Sequence, residues 1–259
     1  MKKQLVRLAG FIVLISMCLV SYSQRETYEL RVYKLKSTAQ VNETDNYLKD
    51  AFLPAMHRLG IKQIGVFKPI SNDTSEIKLI VVLIPYISVD VWRKSKLNIE
   101  LDPIYTAAAK GFIDADTNHY PFIRMESTLM EAFPDQPKLI PTILKSHPDA
   151  IYELRNYESP TEELHRVKVD MFNAGGEIAL FKRLDFQAVF YADVLSGSRM
   201  PNLDYMVVFT DTAARSEHWK SFGASREWKT ISADPKYRNN ISVNHIESVL
   251  MHRTLYSDL

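Results

Sequence analysis

Apolar and polar residues alternate along two stretches that open with the same four residues, Tyr28-Glu29-Leu30-Arg31 and Tyr152-Glu153-Leu154-Arg155, each followed two positions later by a tyrosine, Tyr33 and Tyr157. Alternation with period two is the mark of a strand with two unlike faces. After the first strand, residues 28–35, a helical period runs over 40–59, interrupted at Pro54 and stopped by Gly60 in the manner of a glycine just past a helix end. Strands are expected at 64–67 and 78–84, a short helix at 90–97, and a second helix that starts at Asp102-Pro103 and ends at Gly111. Aspartate followed by proline is a favoured helix start. A strand over 123–132 completes the unit.

The second stretch repeats the order: strand 152–157, helix 161–173, a break at Gly175-Gly176, helix 177–183, strands 187–192 and 205–210, helix 213–222 capped by Asp211, and strand 245–252. Spacings between the copies are nearly constant. Tyr28 to Tyr152 is 124 positions, Arg58-Leu59 to Arg183-Leu184 is 125, Val81-Val82 to Val207-Val208 is 126, and Glu126-Ser127 to Glu247-Ser248 is 121. Drift of this size is what loop insertions produce. Pro134, Pro137, Pro141 and Pro148 bar regular structure between the copies, so 134–148 reads as a linker joining domains 24–133 and 149–259.

Each copy therefore reads as a βαββαβ unit, a ferredoxin-like plait with both helices on one face of an antiparallel sheet. The bare sheet face needs cover, and two plaits in one chain can cover each other. The fold class is α+β: two ferredoxin-like repeats packed sheet to sheet as a pseudo-dimeric α/β barrel, with a cavity between the sheets.

Ahead of the first strand, Lys2, Lys3 and Arg7 precede an apolar run over 8–20 and then Ser21 and Ser23. The run has 13 residues, shorter than the 20 or so a bilayer span needs. Residues 1–23 thus read as a secretory signal peptide cleaved before Gln24, which places the protein outside the cytoplasm, periplasmic or secreted. Cys18, the single cysteine, leaves with this segment; Met17 stands where lipidation would want a small residue. The mature chain then has no thiol. Without Lys2, Lys3 and Arg7 it carries 29 basic against 31 acidic residues, net −2, a balance that points to neither nucleic acid nor a membrane as partner.

Three runs, Met171-Phe172-Asn173-Ala174-Gly175-Gly176-Glu177, Gly197-Ser198-Arg199-Met200-Pro201-Asn202-Leu203 and Glu227-Trp228-Lys229, together with the Tyr-Glu-Leu-Arg openings, resemble the NIPSNAP family. The resemblance is close over 151–259 and loose over 27–133. It implies the dimeric α/β-barrel superfamily, whose other branches include cofactor-independent monooxygenases and haem-handling enzymes. The NIPSNAP branch has no generally assigned reaction, and its eukaryotic members are linked to mitochondria and protein interactions. The first half departs from the pattern: it lacks the Gly-Gly-Glu break and has Ser71-Asn72-Asp73 in place of the Gly-Ser-Arg-Met-Pro-Asn run.

Strand parity puts Glu29, Arg31 and Tyr33 on one face and Glu153, Arg155 and Tyr157 on its counterpart, opposite Leu30 and Leu154. If the leucines meet the helices, the Glu-Arg-Tyr faces look into the space between the sheets. Two readings fit: a polar cavity wall with arginine as anion clamp and tyrosine as donor, or an ion-pair network in which Arg31 and Arg155 meet Glu126 and Glu247 on the neighbouring last strand. Asn173 and Glu177 flank the double glycine, where Glu177 is either a general base or a complement to its helix dipole. Arg199 and Asn202 sit in a loop near a strand start, which is either a functional loop or the ordinary turn chemistry of Gly197 and Pro201. Trp92, Trp219 and Trp228 read most simply as core anchors.

His57, His119, His147, His165, His218, His245 and His252 show no metal-binding spacing, and serine-nucleophile, Walker and dinucleotide patterns are lacking. No metal and no cofactor is called for. The leading expectation is a binding module for a small organic ligand or a protein partner, an intramolecular pseudo-dimer open to further self-association. A second is an enzyme resembling the cofactor-independent monooxygenases, with Arg155, Tyr157 and Glu177 orienting and deprotonating an enolisable substrate. A third is haem or tetrapyrrole binding through His165 or His245.

Overall fold

Among the described residues, eight strands pair antiparallel and close on one another: β1 (Thr27–Leu35), β2 (Gly65–Pro69), β3 (Lys78–Tyr86), β4 (Arg124–Ala132), β5 (Ile151–Glu158), β6 (Gln187–Ser196), β7 (Asn202–Phe209) and β8 (His245–Arg253). The computed structural model describes residues 24–259, and the signal peptide expected over 1–23 lies outside them. Around the barrel the order is β1-β3-β2-β8-β5-β7-β6-β4, so each half keeps the strand order of a ferredoxin-like sheet. The halves join twice in the same way. β8 meets β2, with Phe67 opposite Arg253, and β4 meets β6, with Ala132 opposite Ala192. The last strand of each half thus pairs with the second strand of the other, as an approximate two-fold axis requires.

Helices pack outside. In the first half, α1 (Thr38–Tyr47), α2 (Leu53–Arg58), α3 (Val89–Asn98) and α4 (Pro103–Ile113) cover the sheet. A wide turn over Leu48–Phe52 joins α1 to α2 and absorbs the interruption expected at Pro54. Gly60, with φ of 80°, terminates α2 as expected. Asp102 caps α4 through its Oδ1, which accepts from the backbone amides of Ile104 and Tyr105. The helix continues past Gly111 to Ile113, because Gly111 keeps a helical backbone. The second half has α5 (Glu162–Phe172), α6 (Glu177–Arg183), α7 (Thr212–Ala224), α8 (Arg226–Ala233) and α9 (Asn239–Ser242).

Among the described residues, apolar side chains fall into three cores. One fills the barrel, built by both halves: Tyr28, Phe67, Tyr152, Phe190, Met206 and Met251. The other two lie between sheet and helices, around Phe52 and Met56 in one half and around Phe172 and Phe181 in the other. Leu139 of the linker and Leu259 join the barrel core, and the backbone of Ile140 bonds to Val189, so the linker crosses one end of the barrel. That end is plugged. The opposite end, where β1, β5 and β6 finish, is open.

The expected face assignment is reversed. Leu30 belongs to the barrel core and Leu154 packs against it, whereas Tyr33 and Tyr157 lie under the helices. An eight-stranded barrel has room inside for little more than its own side chains, and four aromatic rings already take much of it. The long polar chains of the repeated motif point outward, where helices supply partners. Register also corrects one spacing: Leu30 faces Leu83 and Leu154 faces Met206, so Leu83 corresponds to Met206, an offset of 123.

Candidate functional site

The repeated glutamates are the anchors of two equivalent seams. Glu29 is fully buried and accepts from Arg31, Tyr86 Oη (3.0 Å), Trp92 Nε1 (3.3 Å), Lys96 Nζ (2.6 Å) and Ser127 Oγ (2.9 Å). Glu153, also fully buried, accepts from Arg155 (2.7 Å), both Arg215 nitrogens (2.7 Å), Trp219 Nε1 (2.8 Å) and Ser248 Oγ (2.6 Å). Tryptophan and serine recur in both copies, so each seam pins a helix to its sheet. Burial alone would raise these carboxyls; Arg31 and Lys96 hold Glu29 at about 2, and bonds from Arg215, Ser248 and Trp219 hold Glu153 at about 2. Such groups are satisfied, with no acceptor left for a ligand.

The ion pairs expected between Arg31 and Glu126 and between Arg155 and Glu247 do not form. Ser127 and Ser248 stand opposite the arginines, and the glutamates, one position away, face inward. One residue is one face. Arg31 instead lies over the Phe52 ring at 4.7 Å, and Arg155 over Trp219 at 4.6 Å.

The other expected positions divide between the layer beneath the helices and the barrel mouth. Glu177 forms a buried ion pair with Lys168 at 2.9 Å, and Lys168 sits 5.7 Å from the Tyr157 ring centre. Arg155, Tyr157 and Glu177 therefore share a packed layer beneath the helices, away from the barrel interior. Asn173 ends α5, donating to Val169 O (2.8 Å) and accepting from Asp135 N (3.2 Å), which ties the linker to that helix. Gly176, with φ of 84°, makes the turn into α6. His165 Nε2 contacts Asp193 Oδ1 at 2.6 Å, and His245 is exposed at the start of β8.

Arg199 and Asn202 come together, at the open end of the barrel. A cavity of about 470 Å³ opens there. Its polar wall carries Asn156, Asn202 and Asp204, inward-facing residues of β5 and β7. Asn156 is directly opposite Asp204, and its Nδ2 donates to Asp204 Oδ1 at 2.5 Å. Asp204, Asn156 and Asn202 are only 4%, 7% and 2% exposed, yet Asn156 Oδ1 and Asn202 Oδ1 have no hydrogen-bond partner among the described residues. Burial pushes the Asp204 carboxyl up to about 6, against the bond from Asn156 and the nearby Arg199 guanidinium.

At the rim two cations meet three carboxylates. Lys34 pairs with Glu126, and Arg199 pairs with Glu247 and, at 3.4 Å, with Glu158. Arg199 has φ of 63°, a left-handed backbone uncommon outside glycine, and lines the mouth. A neighbouring hollow of about 520 Å³ shares Leu79 and Val249 with the cavity and runs along the seam between β2 and β8.

The two-fold relation exposes what is special about this wall. Pairing Lys34 with Leu79 and Val32 with Val81 in the first half matches pairing Glu158 with Asn202 and Asn156 with Asp204 in the second. Three buried polar residues stand where the first half has Val32, Val81 and Leu79, all of which line the same cavity. The cavity thus has one polar and one aliphatic wall. The sequence alone singles out Arg199 and Asn202 but not Asn156 and Asp204; the signal for those two is that, with the copies aligned at strand register, only one copy is polar there.

Among protein-family models, NIPSNAP matches residues 152–257, which makes the second half a NIPSNAP domain. The search of curated proteins finds no match. A protein from Fusobacterium nucleatum, provisionally described as a monooxygenase, is 7% identical, with 89% of this chain and 93% of that one covered and a TM-score of 0.55. An anthrone oxidase-like protein is 9% identical over 91% of this chain and 94% of its own, with a TM-score of 0.53. Both have the fold of the whole barrel. A NIPSNAP-like domain protein from Burkholderia xenovorans is 18% identical over 43% of this chain and 90% of its own, with a TM-score of 0.37.

Proposed function

We propose that this barrel, whose residues 152–257 form a NIPSNAP domain, binds a small organic molecule with an apolar body and a polar end in its open mouth. The observation that carries the reading is the replacement of Val32, Val81 and Leu79 by Asn156, Asp204 and Asn202 across one cavity. Buried polar groups without partners cost stability, and a ligand that supplies the partners recovers that cost. Thermal-shift screening of metabolites tests it: a native-state ligand raises the melting temperature by mass action. The double variant Asn156→Val with Asp204→Val, which copies the first half, is expected to stay folded and lose the response. An unchanged response in that variant, or no stabilising compound at all, overturns the reading.

Asp204 also supports an enzymatic reading. A buried carboxyl titrating near 6 is able to take a proton from an enolisable or phenolic ligand, the role expected at Glu177. Exchange of a substrate proton with deuterated solvent, lost in Asp204→Asn, is the signature to seek.

We further propose export, on the strength of Lys2, Lys3 and Arg7 ahead of the apolar run. Intact mass of the protein recovered from its native cells should correspond to a chain starting at Gln24.

A further inference from the structure

We infer that the polar end of the ligand is a primary ammonium, held by Asp204, Asn156 and Asn202, with its apolar body against Val32, Val81 and Leu79. This rests on the cavity being a ligand site and names what it selects.

The first argument is donor and acceptor count. Asp204 accepts one hydrogen bond, from Asn156 Nδ2, and that bond fixes the orientation of the Asn156 amide, because an ionised carboxylate cannot donate in return. Asn156 Oδ1 is therefore an acceptor, and it is buried without a partner, as is Asn202 Oδ1. With the remaining lone pairs of Asp204, the wall offers three acceptors on two adjacent strands. Asn156 and Asp204 are direct cross-strand partners and Asn202 is two residues along β7 on the same face, a grouping within roughly 8 Å. A primary ammonium has three N–H donors and no acceptor. A hydroxyl could fill one acceptor as donor, and a carboxylate could fill none.

The second argument is charge. Around the mouth Lys34 and Arg199 face Glu126, Glu158, Glu247 and Asp204. Each cation is engaged by a glutamate, so among the described residues at the mouth two cations stand against four carboxylates, and the field of Arg199 only partly offsets Asp204. A charge buried without a counterion is costly, and an incoming cation removes the deficit. The aliphatic wall contributed by the first half then takes a hydrocarbon body, for which desolvation is favourable.

Titration calorimetry of the mature chain with 2-phenylethylamine, 2-phenylethanol and 3-phenylpropanoate tests the assignment. The amine should bind at least tenfold more tightly than the alcohol, and the carboxylate should not bind. Asp204→Asn keeps the acceptor for Asn156 and removes the charge; it should weaken the amine at least tenfold and change the alcohol little. Amine affinity should fall as pH drops from 7.5 to 5, as Asp204 takes up its proton in the field of Arg199 and Glu247, with Asn156 beside it and Lys34 and Glu126 across the mouth. Equal or tighter binding of the alcohol or carboxylate, or amine binding untouched by Asp204→Asn, overturns the ammonium assignment and leaves the cavity reading standing. If none of the three binds, the assignment falls, and the thermal-shift screen then decides whether the cavity reading falls with it.

Discussion

Asn156 and Asp204 face each other across β5 and β7, bonded at 2.5 Å, at the register position that Val32 and Val81 occupy across β1 and β3. The same fold is therefore built with and without this pair inside one molecule. A valine pair satisfies the barrel at that position, so packing does not require the polar pair. Asp204 is a cost to the fold that a ligand site would explain.

That cost should be measurable. The unfolded chain releases the Asp204 proton near 3.8, the folded chain holds it to about 6, so stability from this group falls as pH rises between those values and the penalty is complete above 6. Asp204→Asn should raise stability at pH 7.5 by about 3 kcal/mol, and the gain should vanish at pH 3.5. Denaturant unfolding at the two pH values checks this; a variant less stable at pH 7.5 contradicts it.

The seam glutamates should titrate with the opposite sign. Glu29 and Glu153 are lowered from 4.5 to about 2, so their contribution is complete above 4.5 and is lost as pH falls toward 2. Each is worth about 3 kcal/mol on that scale. Glu153→Gln should destabilise the protein by a similar amount at pH 7, since Arg155 and Arg215 are left with an uncharged partner. Acid unfolding followed by circular dichroism should begin at a higher pH in this variant than in the parent.

How much of this was legible follows from what alternation carries. Period two places Glu29, Arg31 and Tyr33 on one face, and they share it. It does not say which face looks inward, and the barrel's own aromatics, Tyr28 and Phe190 among them, took the interior. Duplication was readable from Tyr28-Glu29-Leu30-Arg31 and its copy, and the strand order followed from it. The site was not, because Asn156 and Asp204 differ from the repeat instead of repeating, and matching Val81-Val82 to Val207-Val208 hid the register that aligns Val81 with Asp204. The helix expected over 213–222 carries no sign of α8 beyond it, because Ser225 ends α7 and caps the next helix at once, accepting from Trp228 N.

The pair Lys168 and Glu177 offers a test of whether the layer beneath the second half's helices is more than packing. Both side chains are 2% exposed and 2.9 Å apart, and Lys168 lies 4.9 Å from the Phe172 ring centre and 5.6 Å from that of Trp228. Removing one partner leaves a buried charge, which costs about 3–5 kcal/mol, whereas replacing both by apolar groups of similar size is often close to neutral. Lys168→Met and Glu177→Leu should therefore each destabilise strongly, and the double variant should recover most of the loss. The coupling energy from this double-mutant cycle is the readout. A double variant that recovers stability and keeps the thermal-shift response of the barrel mouth would place Glu177 outside the chemistry, leaving Asp204 as the acid-base group to pursue.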